Sequence, residues 1–324
     1  MKDTILYGDC RQTLDTLKSH ITTGICDKPR MCVTSPPYYG LRDYGGESNQ
    51  IGQENTPEEY IQNLVDVFRK VRDCLTDDGT LWLNIGDSYY NYRPGKGQAL
   101  VKQTVSNSKQ DLPDKCARRG NKLEGLKEKD LIGIPWMLAF ALRADGWYLR
   151  QDIIWHKPNP MPESVKDRCT KSHEYLFLLS KNKKYYYDNE SIKEPAKDWG
   201  TRDRTNGKYH NKGTGLQPHS GLTKSYRTKN KRSVWSITNK PYKGAHFAVF
   251  PPDLIIPCIK AGSKEGDIVL DPFIGSGTTA MVARDLNRNY IGCELHEDYS
   301  TLIDERVPVK EVAPNPLEYV MFGL

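Results

Sequence analysis

The sequence predicts an α/β protein with a mostly parallel central sheet, and three stretches of it support this prediction. Residues 1–90 alternate apolar, β-branched runs with one long amphipathic helical period. Residues 131–187 add a helix followed by two strand-like runs, and residues 244–324 open a helix on two glycines directly after a strand. Strand–helix–strand alternation of this kind is typical of parallel sheets covered on both faces.

Each predicted element has its own local signal. Strands are predicted at TILYGD, MCVTS, TLWLNIGDS, YLRQDIIWHK, HEYLFLLSK, GDIVLDPF and NYIGCELH, and helices at PEEYIQNLVDVFRKVRDCL, LIGIPWMLAFALRADGW, AVFPPDLIIPCIKAGS and GSGTTAMVARDLN. In the first of these helices the apolar residues recur three and four apart. Thr56 and Pro57 supply its N-cap and its first-turn proline.

The composition excludes several classes of protein. Among 324 residues, eight cysteines are scattered without a C-x-x-C pair, so we expect reduced thiols and neither a disulfide framework nor a metal site. No apolar run approaches the roughly 18 residues of a membrane helix, and the charged start MKDTILYGDC does not resemble a signal peptide. We therefore expect a cytoplasmic protein without a membrane partner.

The net charge of +6 is mild, but its distribution is uneven. Residues 91–130 are polar and basic, which predicts a mobile loop. Residues 188–243 are basic, rich in Gly, Ser, Thr and Asn, and interleaved with Tyr, Trp and His. Two interpretations of this second stretch stay open: a solvated disordered insertion, or a face that binds nucleic acid through cations and aromatic rings.

The stretch TSPPYYGLRDYG at residues 34–45 predicts a rigid corner at a strand end. Pro36 and Pro37 lack an N–H group and fix their own φ, so the strand MCVTS has to end at Ser35. The corner then presents a hydroxyl, backbone carbonyls and the ring of Tyr38 to the space beyond the strand.

The second motif is DIVLDPFIGSGTTAMVARDL, a strand, a glycine turn and a helix. Gly275 and Gly277 would let the backbone approach a ligand, and Glu294 ends the next strand at the place of a ribose acceptor. By spacing alone the pattern indicates a dinucleotide. The acid in Asp271-Pro272-Phe273, however, suits an ammonium group and would repel a pyrophosphate, which favours S-adenosylmethionine.

The two motifs together resemble the S-adenosylmethionine-dependent DNA amino-methyltransferases of restriction-modification systems, in their permuted β group. SPPY at 35–38 precedes FIGSG at 273–277, with the basic region between them. The resemblance implies a Rossmann-like methyltransferase fold with circularly permuted motifs and a prokaryotic or phage origin. It divides the chain into a catalytic half (1–90), a mobile basic loop (91–130), a continuation of the catalytic domain (131–187), a target-recognition region (188–243) and a cofactor-binding half (244–324).

The resemblance also implies individual site residues. The catalytic ones are Ser35, Pro36, Pro37 and Tyr38. Those for S-adenosylmethionine are Asp9, near its adenine, then Asp271, Pro272, Phe273, Gly275, Ser276, Gly277, Thr278 and Glu294. In the target-recognition region Arg202, Arg204, Arg227 and Arg232 are candidates for binding double-stranded DNA, chiefly through phosphates. A cognate restriction endonuclease and a homodimer are further expectations.

Amine chemistry explains why such a corner would be used. The exocyclic NH₂ of a base is a poor nucleophile, and two acceptors, the Ser35 oxygen and the Pro36 carbonyl, would grip its N–H bonds and free its lone pair. Tyr38 would stack on the base once it is flipped out. Ser at the first position resembles the N4-cytosine enzymes, and N6-adenine stays the alternative. The proton acceptor is left open between Asp43 and water.

Rival functions remain at this point. The Pro257-Cys258 pair could indicate C5-cytosine methylation, but an apolar helical setting predicts a buried, inert thiol. His156 and His173 border the predicted base pocket and are interpreted as structural. An RNA or protein-amide methyltransferase, or a DNA-binding regulator without activity, would share parts of the pattern.

Overall fold

A computed structural model describes residues 1–40, 50–90, 123, 125–196, 227–239 and 250–307. In chain order its strands are β1 (Thr4–Tyr7), β2 (Met31–Thr34), β3 (Thr80–Ile85), β4 (Tyr148–His156), β5 (His173–Ser180), β6 (Glu194–Pro195), β7 (Thr228–Lys229), β8 (Val234–Ser236), β9 (Ile268–Asp271) and β10 (Asn289–Glu294). Its α-helices are α1 (Cys10–Thr22), α2 (Pro57–Cys74), α3 (Ile134–Ala144), α4 (Pro252–Gly262), α5 (Thr278–Asp285) and α6 (Ser300–Arg306).

Eight of these strands form one sheet in the order β1-β10-β9-β2-β3-β5-β4-β8. Neighbouring strands are parallel from β1 to β3 and again between β4 and β8, whereas β5 is antiparallel to both β3 and β4. The predicted α/β fold with a mostly parallel sheet is confirmed. The pairing of β2 with β9 brings the two distant motifs of the sequence to neighbouring strands.

Helices cover both faces of the sheet. Buried side chains of α1, α2 and α3 form one core cluster with one face of the strands, and those of α4, α5 and α6 form a second cluster with the opposite face. Because both faces are covered, the central strands β2, β3 and β9 are buried along their whole length.

Local chemistry explains where two of the helices begin. The Thr56 hydroxyl accepts a hydrogen bond from the Glu59 N–H at 3.1 Å, and Pro57 occupies the first turn of α2, as predicted. Helix α1 was not among the predicted elements. Its signal is the Asp9 side chain, which caps the helix by accepting from the Arg11 N–H at 2.9 Å.

The direction of the strands decides where the candidate site residues lie. Ser35, Asp271 and Glu294 follow or end parallel strands, so they lie at the carboxyl edge of the sheet. Because β5 is antiparallel, its first residues, His173 and Glu174, lie at the same edge. Ligand sites of open α/β sheets form at this edge. As for membranes, none of the described helices combines the length and the apolar character needed to span one.

A substitution in helix α2 tests how much its packing contributes to the stability of the fold. Leu64 is fully buried in it, and its replacement by Ala should lower the free energy of unfolding by about 2–5 kcal/mol, because methyl groups are lost and a cavity remains. The exposed Gln62 on the same helix is the matched control, with an expected change within about 0.5 kcal/mol for Gln62→Ala. Urea unfolding followed by circular dichroism measures both, and equal losses would contradict the packing.

Candidate active site

The proline corner lies at the end of β2 and is held from α2. Pro36 is buried, and the Pro37 carbonyl accepts a hydrogen bond from the Tyr60 hydroxyl at 2.8 Å. Among the described residues no donor occupies the Pro36 carbonyl. Ser35 is partly exposed. One of the two proline carbonyls therefore anchors the corner, and the other stays available beside the Ser35 hydroxyl.

Tyr38 is fixed in position at both its ring and its hydroxyl. The hydroxyl donates to Glu174 Oε2 at 2.7 Å and lies 3.3 Å from Asn84 Oδ1. A Cβ atom at Gly86 would lie 2.7 Å from Cε2 of the Tyr38 ring, so only glycine allows the ring to rest there. Burial, and after it the negative charge of Glu174, raises the pKa of Tyr38 well above its ordinary value. The phenol is therefore a neutral donor.

The acceptor of this phenol is itself held by other groups. Glu174 Oε1 forms an ion pair with Lys157 Nζ, and both side chains are largely buried. The Asn84 side-chain amide donates to Glu174 Oε2 at 3.3 Å and to the Tyr175 carbonyl at 3.1 Å. Fixed partners at every step leave the Tyr38 ring little freedom to reorient.

The glycine loop lies at the end of β9, beside the proline corner. Gly275 and Gly277 have φ of +53° and +81°, a region that favours glycine, and Gly277 precedes the first turn of α5. The Gly275 N–H donates to Glu294 Oε2 at 2.9 Å, and the His296 N–H donates to Oε1 at 3.1 Å. Burial raises the pKa of Glu294 despite these two bonds.

Asp271 connects the two motifs. Its Oδ1 accepts from the Thr34 hydroxyl at 2.6 Å and from the Phe273 N–H at 3.0 Å, and its Oδ2 accepts from the Thr279 hydroxyl at 2.6 Å. The side chain is fully enclosed, and burial raises the pKa of Asp271 to about 6. These contacts are all internal and link the corner to the glycine helix, and the contact of Asp271 with an ammonium group stays a prediction.

Two predicted cofactor residues of the loop turn toward α6. Arg306 Nη1 donates to the Ser276 hydroxyl at 2.6 Å, to the Thr278 hydroxyl at 3.0 Å and to the Ser276 carbonyl at 3.2 Å. Pro272 is buried, and the Phe273 ring meets the ring of Phe68 edge-on with their centroids 6.4 Å apart. Arg306 therefore stabilises the loop by binding the hydroxyl groups of Ser276 and Thr278.

Asp9 lies at the same carboxyl edge of the sheet, two residues after the end of β1. It forms a bidentate ion pair with Arg11, whose closest N···O distance is 2.5 Å. Burial alone would raise the pKa of Asp9, but the hydrogen bonds and charge of Arg11 lower it below its usual value. The adjacent Gly8 N–H donates to the Glu294 carbonyl at 2.8 Å, which places Asp9 and Glu294 at neighbouring strand ends.

A family model for DNA methylases acting on N6 and N4 amines matches residues 30–305, most of the chain. The chain belongs to this DNA methylase family. The methylase is 49% identical over 303 residues to the type II methyltransferase M.SmaI of Serratia marcescens, covering 94% of this chain and 90% of that protein. It is 46% identical to M.XycI of Xanthomonas campestris pv. cyanopsidis, with 94% and 87% covered. The predicted membership among DNA amino-methyltransferases is confirmed.

Solved structures share the fold at low identity. The PvuII DNA methyltransferase, described as cytosine-N4-specific, has a TM-score of 0.59 at 17% identity, with 97% of this chain and 89% of that chain covered. TTHA0409 of Thermus thermophilus, complexed with S-adenosyl-L-methionine, has a TM-score of 0.54 at 20% identity, with 94% of each chain covered. These matches confirm the Rossmann-like methyltransferase fold of the methylase.

The predicted DNA-binding arginines are only partly described. Arg202, Arg204 and the candidate proton acceptor Asp43 lie outside the described residues. Arg227 is exposed before β7, and Arg232 Nε donates to Glu194 Oε2 at 3.1 Å while its side chain stays 73% exposed. The ends of the predicted target-recognition region are thus built into β6, β7 and β8.

The residues that support Tyr38, the proline corner and the glycine loop are not among the site residues predicted from the sequence. Tyr60, Asn84, Lys157 and Glu174 belong to predicted elements and Arg306 lies beyond the last of them, but nothing in their spacing pairs them with a motif. The only available signal was polarity: Asn84 and Glu174 interrupt apolar strands. His156 and His173 are register partners in β4 and β5, and His156 Nδ1 lies 3.0 Å from the Ser236 hydroxyl.

Glu174 should act on methyl transfer through Tyr38. Glu174→Ala should lower the rate about tenfold or more, because a hydrogen bond between a charged carboxylate and the phenol is lost. In a Tyr38→Phe background the same change should add little, so a double-mutant cycle on kcat/KM should show strong coupling.

The matched control for this cycle is Glu163→Ala. Glu163 also forms an ion pair, with Arg168 at 2.5 Å, but its carboxylate makes no hydrogen bond to Tyr38, whose hydroxyl contacts Glu174 and Asn84. We expect additive effects with Tyr38→Phe for this variant. Additive losses for Glu174 as well would show that Glu174 does not work through the phenol.

Proposed function

We propose that the methylase transfers a methyl group from S-adenosylmethionine to the exocyclic N4 amine of a cytosine flipped out of duplex DNA. One observation supports this above all: the Asp271 carboxylate joins the end of β2, which carries the proline corner, to the helix that follows the glycine loop. A group held by the loop and a base held by the corner would therefore meet at adjacent strand ends.

The residues at the glycine loop fit the cofactor. The loop lacks side chains at Gly275 and Gly277. Beside it Glu294 is 8% exposed, and its carboxylate has a backbone N–H on each oxygen and further lone pairs for a ribose diol. Asp9 would lie near the adenine. S-adenosylmethionine, when bound, supplies a methyl group on a positively charged sulfur.

Ser35 and Pro36 would orient the amine. Both acceptors are attached to a corner that Tyr60 and the two prolines keep from relaxing. Acceptors fixed in advance stabilise the positive charge that develops on the attacking nitrogen, with no reorganisation at the moment of reaction. Holding the lone pair in line with the methyl group supplies the remaining advantage of proximity.

Tyr38 would hold the extruded base by stacking. The reacting amine is out of reach inside a duplex, so the base has to leave its stack and needs a new flat surface. The contacts of Tyr38 with Glu174 and Gly86 prepare that surface before the base arrives. A ring that is already fixed loses less conformational entropy on binding.

Ser35 favours cytosine over adenine as the target. Ser at the first position of the corner resembles the N4-cytosine enzymes, whereas Asp or Asn often accompanies N6-adenine. The chemical difference between the two bases is small at this position, because both present a conjugated NH₂ and a hydroxyl can accept a hydrogen bond from either. N6-adenine is therefore the second candidate.

DNA is the substrate class of the family, and we propose two further properties of the chain that concern DNA. The region 188–243 would recognise the target sequence, with Arg227 and Arg232 on phosphates. The type II relatives M.SmaI and M.XycI suggest that the methylase protects DNA from a restriction endonuclease of the same specificity.

Nucleoside analysis decides which base is modified. Duplex DNA from cells that express the methylase should contain N4-methylcytosine after digestion and mass spectrometry, and sequencing of the same DNA gives the target sequence. DNA from cells that express Ser35→Ala is the control for modification by the host. N6-methyladenine without N4-methylcytosine would favour the second candidate. If the methyl group of labelled S-adenosylmethionine were transferred to RNA or protein and not to DNA, DNA would be rejected as the substrate.

Substitutions separate amine methylation from C5-cytosine methylation. Cys258 is fully buried in α4, and burial raises the pKa of its thiol, so Cys258→Ser should keep most methyl transfer. Ser35→Ala and Tyr38→Ala should each lose most of it, because they remove an acceptor and the stacking ring. Transfer of tritiated methyl groups to duplex DNA measures all three, and the opposite ranking would indicate a cysteine nucleophile.

A further inference from the structure

Lys171 differs from the other cations beside the proline corner, because the described part of the chain supplies it no carboxylate as an ion-pair partner. It precedes β5 by two residues and is partly buried, and its Nζ donates to the backbone carbonyl of Asp87 at 3.1 Å. Among the described residues no carboxylate forms an ion pair with it. Burial lowers the pKa of Lys171, which reflects the cost of holding a charge where water is scarce.

The two nearest carboxylates are already engaged. Asp87 caps α3 by accepting the N–H groups of Gly133 and Ile134 at 3.0–3.1 Å. Glu174 accepts from Lys157 and from Tyr38, as described above. Both carboxylates therefore already have hydrogen-bond donors of their own, and Lys171 forms an ion pair with neither.

The neighbouring cations add repulsion. The charges of Asp87 and Glu174 raise the pKa of Lys171, whereas Lys157 and Arg168, each paired with a glutamate of its own, lower it. A partly desolvated charge to which the described residues supply no ion-pair partner is costly unless an anion joins it. An anionic ligand would remove that cost.

The position of Lys171 indicates which anion would join it. Lys171 contacts Asp87, which follows Gly86, the residue against which the Tyr38 ring packs. Glu174, three residues after Lys171, binds the Tyr38 hydroxyl. A base stacked on Tyr38 would carry its own phosphodiester to the edge of this pocket, because flipping rotates the nucleotide about its backbone. Lys171 has three N–H donors, of which Asp87 uses one.

We propose that Lys171 binds a DNA phosphate next to the target nucleotide and so holds the backbone in its flipped geometry. This inference rests on the proposed function, since it needs a nucleotide extruded toward Tyr38. Phosphate contacts position the duplex without reading its sequence. Lys171 would thus serve binding and positioning for any sequence around the target.

The salt dependence of DNA binding tests the contact. Fluorescence anisotropy with a duplex of the identified target sequence gives the slope of log K against log[salt]. This slope is negative, and its magnitude decreases by about 0.9 for each contact with a B-DNA phosphate that the protein loses. Lys171→Met should reduce the slope by that amount, and Lys171→Arg should retain it. Lys184→Met, at an exposed lysine beyond the opposite end of β5, should keep the wild-type slope.

A neutral phosphate locates the contact. A single methylphosphonate placed on either side of the target nucleotide should weaken wild-type binding at one of the two positions, and it should not weaken Lys171→Met further there. An unchanged slope in Lys171→Met would overturn the proposal, as would wild-type binding that is insensitive to both methylphosphonates.

Two measurements keep these outcomes separable. Wild-type methyl transfer to the same duplex reports on the proposed function independently, so its absence would reject that function rather than the contact alone. Thermal unfolding of each variant shows that it is folded, and Lys171→Gln replaces Lys171→Met if the latter is not.

Discussion

The buried carboxylate of Asp271 is the constraint on which the rest of the site depends. It ends β9, receives the hydroxyls of Thr34 and Thr279, and so joins the strand before the proline corner to the helix behind the glycine loop. Full burial of a carboxylate is costly, and three hydrogen bonds offset that cost only in this arrangement. A displacement of either motif would leave a donor or the acid unsatisfied, so the two motifs are held together.

Charge divides the carboxyl edge of the sheet into two halves. After β1 lies Asp9, paired with Arg11, and at the end of β10 lies the acid Glu294, on the side of the glycine loop where the cofactor is proposed to bind. Around β4 and β5 lie Lys157, paired with Glu174, and Lys171, the cation proposed to bind a DNA phosphate. The proline corner on β2 lies between the two halves in the strand order. A cationic cofactor and an anionic duplex would therefore approach the corner from opposite sides.

The sequence by itself determined the fold and the two motifs, because both depend on local physics. Alternating strands and helices predict a parallel sheet covered on both faces, and adjacent prolines have to end a strand at Ser35. Glycines between an apolar strand and a helical period predict a tight turn at that point. Helix α1 escaped prediction since its apolar residues are few and its clearest signal, the Asp9 cap, is also a candidate ligand.

Only the tertiary structure decided what supports these motifs, because those contacts join residues far apart in the chain. Glu174 reaches Tyr38 across 136 positions and Thr34 reaches Asp271 across 237, and no spacing rule connects them. The structure also separated the loop residues: Glu294 faces the glycine backbone, whereas Ser276 and Thr278 turn to Arg306. Which direction a side chain takes depends on strand order and register, and these emerge only when the whole sheet is assembled.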